Sequence, residues 1–111
     1  MKVFVFLSFL ILVSSCEKPD CNQVKQAYYP DEYNLIVEQA NIDLTWIKIQ
    51  GQTPLTNKKT NIMVHNNWIV NSNEVEIGDT IVKRKGDLVL TIHKKDSIIT
   101  HNWYCRGKPY K

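Results

Sequence analysis

Three histidines and three cysteines are the side chains in this sequence best suited to chemistry. His93, His101 and Cys105 form a conceivable zinc set, since imidazole and thiolate are common zinc ligands. His101 lies four positions before Cys105, so on one continuous strand the two would share a face. The spacing matches no compact zinc motif, and neither a metal nor another cofactor is expected. His93 and His101 are instead expected to face each other across a hairpin turned at Lys95-Asp96. Nucleophilic catalysis has no better support. There is no Gly-x-Ser-x-Gly, and four glycines spread from Gly51 to Gly107 make no phosphate loop. Asp79, Asp87 and Asp96 fall at expected strand starts or turns, where aspartate serves the backbone. The chain does not read as an enzyme.

The aromatic residues offer binding chemistry. Trp46, Trp68 and Trp103, with Tyr28, Tyr29 and Tyr33, could line a face. His65-Asn66-Asn67-Trp68 and His101-Asn102-Trp103 look alike. Rings stack on sugars and amides hydrogen-bond to them, so Trp68 and Trp103 are the candidate binding residues. The simpler alternative is that tryptophans fill the core of a small β domain.

The first residues carry a different kind of information. Met1-Lys2, the apolar run Val3 to Val13, and Ser14-Ser15 form the basic, hydrophobic and small-residue regions of a secretory signal. As a helix the run would reach only ~16 Å, against a hydrocarbon core of about 30 Å, so it does not read as a transmembrane span. Val13-Ser14-Ser15-Cys16 resembles the bacterial lipobox. That resemblance implies cleavage before Cys16, a diacylglyceryl group on its thiol and acylation of its new amino group. Residues 1–15 would be the signal peptide. An ordinary signal peptide cut at the same place is the alternative, since Val13 and Ser15 also suit a general signal peptidase. Glu17 stands where aspartate marks inner-membrane retention in related sorting systems. The outer membrane is therefore the implied destination, with the leaflet left open.

If Cys16 carries lipid, Cys21 and Cys105 remain as an even pair, and an oxidising compartment allows them to form a disulfide. The loop would hold about 85 residues, for which the chain-entropy model gives roughly 4.5 kcal/mol. Two buried free thiols are the alternative.

Composition narrows the partners. A formal net charge of +3 is too small to argue for nucleic acid. Lys83-Arg84-Lys85 and Lys94-Lys95 flank predicted turns and read as solvated charge. After the signal, residues 16–29 read as a lipidated N-terminus and tether, and residues 30–111 as a single small β domain.

No long 3.6-residue periodicity occurs. Leu35-Ile36-Val37 is a short apolar run whose β-branched content favours a strand. A short helix near 30–39 is the alternative and would make the fold α+β. Asn41-Ile42-Asp43 reads as a turn. Leu44 to Gln50 reads as a strand with Ile47 and Ile49 on one face, ended by Gly51. Gln52 to Asn61 reads as an exposed loop. Ile62-Met63-Val64 and Trp68-Ile69-Val70 are short strand candidates. Thr80–Lys85, Leu88–Lys94 and Ser97–Cys105, linked through Gly86-Asp87 and Lys95-Asp96, predict a three-stranded antiparallel meander. The expected fold is mainly β, a small antiparallel barrel or sandwich ending in that meander.

Ile77-Gly78-Asp79-Thr80-Ile81-Val82-Lys83, Lys85-Gly86-Asp87-Leu88, Ile92-His93-Lys94-Lys95-Asp96 and the late Cys105-x-Gly107 resemble small lipoproteins of the phylum Bacteroidota. The resemblance implies no activity. It does imply O-glycosylation at Asp-Ser/Thr-aliphatic sites, which Asp79-Thr80-Ile81 and Asp96-Ser97-Ile98 match, so Thr80 and Ser97 are the candidate residues.

The expected role is a lipid-anchored cell-envelope binding or accessory module. Its partners would be the membrane, through the anchor, and an envelope protein or glycan. The rival is an inhibitor or immunity protein that blocks an enzyme with the Gln52–Asn61 loop.

Overall fold

The computed structural model describes residues 20–110, so the export signal and the acylation site Cys16 lie outside the described residues. The domain is mainly β. One helix, α1 (Cys21–Tyr28), precedes eight strands: β1 (Tyr33–Ile42), β2 (Trp46–Gln52), β3 (Lys59–His65), β4 (Thr80–Lys83), β5 (Leu90–His93), β6 (Ile98–His101), β7 (Trp103–Cys105) and β8 (Lys108–Tyr110). A 3-10 turn spans Ser72–Glu74.

β1 to β6 form one sheet in the order β3-β2-β1-β4-β5-β6, with every pairing antiparallel. β7 and β8 make a separate two-stranded ribbon. The expected C-terminal meander is β4-β5-β6; it starts at Thr80 as predicted, and each of its strands is shorter than predicted. A single strand over Ser97–Cys105 does not form. The chain leaves the large sheet after His101, so Trp103 starts the ribbon and turns into the core.

One face of the sheet is buried and the other is open. Leu35, Val37, Ile47, Ile49, Ile81, Leu90 and Ile92 supply the core from the four central strands. α1, the 66–79 connection and the β7–β8 ribbon cover them. Trp68 and Trp103 are both fully buried, and the Tyr28 ring contacts both, at 5.7 and 5.6 Å between centroids. The Trp68 indole N–H donates to the Leu88 carbonyl at 2.7 Å. The binding-face reading of Trp68 and Trp103 is therefore corrected: they are the centre of the core.

β1 explains why its sequence is hard to read. Tyr33, Leu35 and Val37 face the core at odd positions, and Ile42 does so at an even one. A β-bulge lies between, where pairing passes from Val37↔Gly51 to Gln39↔Gln50 and leaves Glu38 over. An extra residue flips the face of everything after it, so the change of parity in the sequence is the bulge itself. The strand consequently runs through Ile42. The turn predicted at Asn41-Ile42-Asp43 falls at Asp43-Leu44-Thr45 instead.

Gly51 does not end β2. It lies inside the strand beneath the bulge, where a Cβ would stand 2.2 Å from the Ile36 carbonyl oxygen. Only glycine permits so close an approach of two backbones.

The helix near 30–39 is not formed, and a helix forms earlier, inside the predicted tether. The Asp20 side chain accepts from the Asn22 N–H and caps α1. Pro30 follows its end and disfavours continuation. Cys21, Val24 and Tyr28 lie at i, i+3 and i+7 and pack inward. Cys21 is disulfide-bonded to Cys105, with Cα atoms 5.9 Å apart and a sequence separation of 84. The chain from Cys21 onward thus belongs to the domain.

Two predictions follow from this packing. Leu90→Ala removes a buried core side chain from β5 and should cost about 2–5 kcal/mol. Gly51→Ala overpacks the bulge and should cost about 1–3 kcal/mol or more. Lys95→Ala, at an exposed turn, serves as the control in chemical denaturation. Midpoints for either variant equal to that of Lys95→Ala would overturn the strand assignment.

Candidate functional site

The side chains proposed for chemistry go to separate places. His65 stacks on Trp46 at the surface, ring centroids 4.2 Å apart. His93 is exposed, with Nε2 3.0 Å from the Thr91 hydroxyl. His101 faces Leu90 across β5–β6, not His93, and its Nε2 lies 2.7 Å from a Glu74 carboxylate oxygen. Cys105 is in the disulfide. Among the described residues no group of three or more His, Cys, Asp or Glu is placed to hold a metal ion. Of the two glycosylation candidates, Ser97 is exposed in the β5–β6 turn. Thr80 is half-buried in β4 between the buried Asp79 and Ile81.

Two of the lysines read as solvated are structural. Lys83 is fully buried and donates to the Asp31 carbonyl at 2.6 Å, tying the chain after α1 to β4. Burial pushes its ammonium pKa down, against the raising effect of Asp31, Asp87 and Glu32. Lys94 donates to the Asp79 carboxylate and, at 2.9 Å, to the Glu74 carbonyl. With Glu74–His101 this network latches the 71–79 connection onto the β5–β6 hairpin. Burial raises the Glu74 carboxyl pKa, but the Asn71 N–H and the His101 ring outweigh it and hold it below its ordinary value. For Asp79, burial is likewise overcome by Lys94 and the Glu76 N–H.

The two most exposed large apolar side chains among the described residues, Leu44 and Leu55, stand on tips at opposite ends of β2. At its start, the Asp43 carboxylate accepts from the N–H groups of Thr45 and Trp46 at 2.8 and 2.7 Å. These bonds hold its pKa below the usual carboxylate range. They lock a turn whose apex, Leu44, is 95% exposed. Asn66 joins that turn to the next. Its amide donates to the carbonyls of Asp43 and Val70 at 2.8 and 2.9 Å, and its oxygen accepts the Val70 N–H at 2.9 Å. Inside this clamp Ile69 has φ 56° and is 57% exposed. A β-branched residue in the left-handed region is strained. The Asn67 carbonyl accepts the Tyr104 N–H at 2.7 Å, and the Asn67 side-chain amide donates to the Tyr104 carbonyl at 3.0 Å, which joins the β7–β8 ribbon to the tip. These two loops and the β7–β8 ribbon border a shallow, open cleft of about 360 Å³.

At the other end of β2 the expected loop is a tight hairpin between β2 and β3. The Thr53 N–H donates to the Lys58 carbonyl, and the Asn57 N–H to the Thr53 carbonyl, both at 3.0 Å. The Thr53 hydroxyl also meets the Thr56 hydroxyl and accepts the Lys58 N–H. Asn57 takes φ 54°, which asparagine tolerates. Leu55, at the apex, is 95% exposed. Sequence reasoning placed this loop but missed the Leu44–Ile69 tip. Asp43 and Asn66-Asn67 were its available signals.

No family model matches the chain, and no curated protein or solved structure shows a significant match.

The latch gives a pH prediction. Carboxyl groups with lowered folded-state pKa contribute full stability above their ordinary values, about 4, and lose it as pH falls through the lower folded values. The denaturation midpoint should therefore drop below about pH 4. A double variant, Glu74→Gln with Asp79→Asn, should be less stable at neutral pH and should lose less on acidification. Acid limbs of equal slope in the two proteins would contradict the latch.

Proposed function

We propose that this protein is a lipid-anchored module of the cell envelope that binds a protein partner through the β2–β3 hairpin. The observation that carries the reading is Leu55. A fully exposed leucine on a tip braced by its own backbone and hydroxyl bonds is preordered for insertion into an apolar pocket, so little ordering entropy opposes binding. The lipobox-like Val13-Ser14-Ser15-Cys16 supports anchoring at Cys16, and the Cys21–Cys105 disulfide suits an oxidising compartment. Two or more acyl chains suffice for stable attachment. The outer membrane is the destination the resemblance favours. An inhibitor or immunity protein is the sharper form of the same reading, with the hairpin occupying an enzyme's cleft.

Two measurements test it. Mass spectrometry of the mature protein should find acyl chains on Cys16 and none of the first fifteen residues, and the protein should fractionate with the outer membrane. Unmodified protein free in solution would overturn the anchor. A photo-crosslinking residue at position 55, in cells of the source organism, should trap one envelope protein that the same residue at position 95 does not. Leu55→Asp should abolish its co-purification at unchanged stability. Equal co-purification with Leu55→Asp would overturn the hairpin as the binding element.

A further inference from the structure

The two tips of β2 differ in one respect that bears on how the molecule sits. The Leu44–Ile69 tip is at the end where the chain enters the domain. Tyr104 and Gly107 line its cleft and flank Cys105 in sequence, and Cys105 is bonded to Cys21. From Cys21 back to Cys16 there are only the residues Glu17, Lys18, Pro19 and Asp20. At full extension this leash spans at most ~17 Å. β2 itself, from Trp46 to Gln52, is about 23 Å long at 3.3 Å per residue. The leash is shorter than the domain, so it keeps the Cys21–Cys105 end beside whatever holds Cys16.

We infer that the Leu44–Ile69 tip docks on the lipid bilayer in which Cys16 is anchored, which stands the domain upright with the Leu55 hairpin pointing away. This rests on the reading of Cys16 as lipidated. The occupant is a lipid surface because the leash delivers that end of the domain to one. Tethering raises the effective concentration of the tip at the headgroups, so a contact too weak to bind membranes alone becomes the populated state. The tip suits the task. Leu44 and Ile69 stand out from two loops that Asp43, Asn66 and Asn67 tie to each other and to the β7–β8 ribbon, so the two side chains enter the interface without further ordering. Ile69 is held in a strained backbone conformation that leaves it outside, although a relaxed loop has the core beside it at Trp68 and Val70. The same docking turns the open hairpin tip toward a partner in solution or on a facing surface.

The test uses the full lipidated chain in vesicles of phosphatidylethanolamine and phosphatidylglycerol whose acyl chains carry bromine, a contact quencher of tryptophan. Leu44→Trp and Leu55→Trp are compared with the parent protein, which corrects for the native tryptophans. Apolar groups at an interface sit ~5–10 Å into the headgroup–acyl boundary. The added emission of Leu44→Trp should therefore shift to the blue and be quenched about twofold or more in brominated vesicles, and that of Leu55→Trp should be unchanged. Ile69→Asp introduced beside Leu44→Trp should reduce the quenching, at unchanged flotation. Equal quenching of the two tryptophans in protein that floats with the vesicles would overturn the docking and leave the anchor standing. Protein that carries no lipid and fails to float would overturn both.

Discussion

Everything in this domain depends on covering one face of a single antiparallel sheet. The four central strands present a continuous apolar surface through Leu35, Val37, Ile47, Ile49, Ile81, Leu90 and Ile92. Among the described residues the other sheet is the two-stranded β7–β8 ribbon, too small to cover that face alone. The cover is assembled from an eight-residue helix, an irregular connection and a ribbon of two three-residue strands. None of these is stable alone, because short elements leave most of their backbone groups without internal partners. Trp68 and Trp103 are the cover's largest fully buried side chains, and the Tyr28 ring contacts both. The disulfide then fastens the first element of the cover to the last.

Polar side chains do in this fold what a layer of helices does in a larger one. The connection between β3 and β4 crosses the sheet with little regular structure, so its backbone groups need partners from elsewhere. Asn66 and Asn67 serve one stretch of it, and Glu74, Asp79, Lys94 and His101 serve another. Lys83 is the costliest case, a buried cation whose ammonium is paid for by backbone carbonyls. These clamps also explain why the surface tips are well defined. A loop with its amides and carboxylates committed to the frame holds its apolar apex outward, and β2 sets the two tips at opposite ends of its length.

Much of the fold was legible in the sequence. Alternation over Leu88-Leu90-Ile92 and Ile47-Ile49 is a local signal, since strand faces repeat every two residues, and so is the punctuation at Gly86-Asp87 and Lys95-Asp96. The cysteine pair was legible because it follows from counting. The bulge at Glu38 was written as a change of parity, which a search for uniform alternation reads as noise. α1 was written as a cap and three inward positions, too short for a periodic pattern to rise above chance.

The sequence by itself determined the class of fold and the two hairpin turns of the meander, and it raised the expectations of export, of a lipid anchor and, with Cys16 set aside, of a Cys21–Cys105 pair, which the structure then shows bonded. All of these rest on neighbours along the chain or on the count of a rare residue. The tertiary structure decided which tryptophans are buried, which lysines are solvated, and which loops meet. Trp68 and Trp46 are alike as residues, and only the placement of the cover makes one core and the other surface. Lys83 and Lys85 are two apart in one basic run, but β4 ends at Lys83, so the first faces inward from the strand and the second lies in the exposed turn. Asn66 and Asp43 meet across 23 positions. Burial and long-range hydrogen bonding are properties of where a segment lands, and no window of local sequence contains that information.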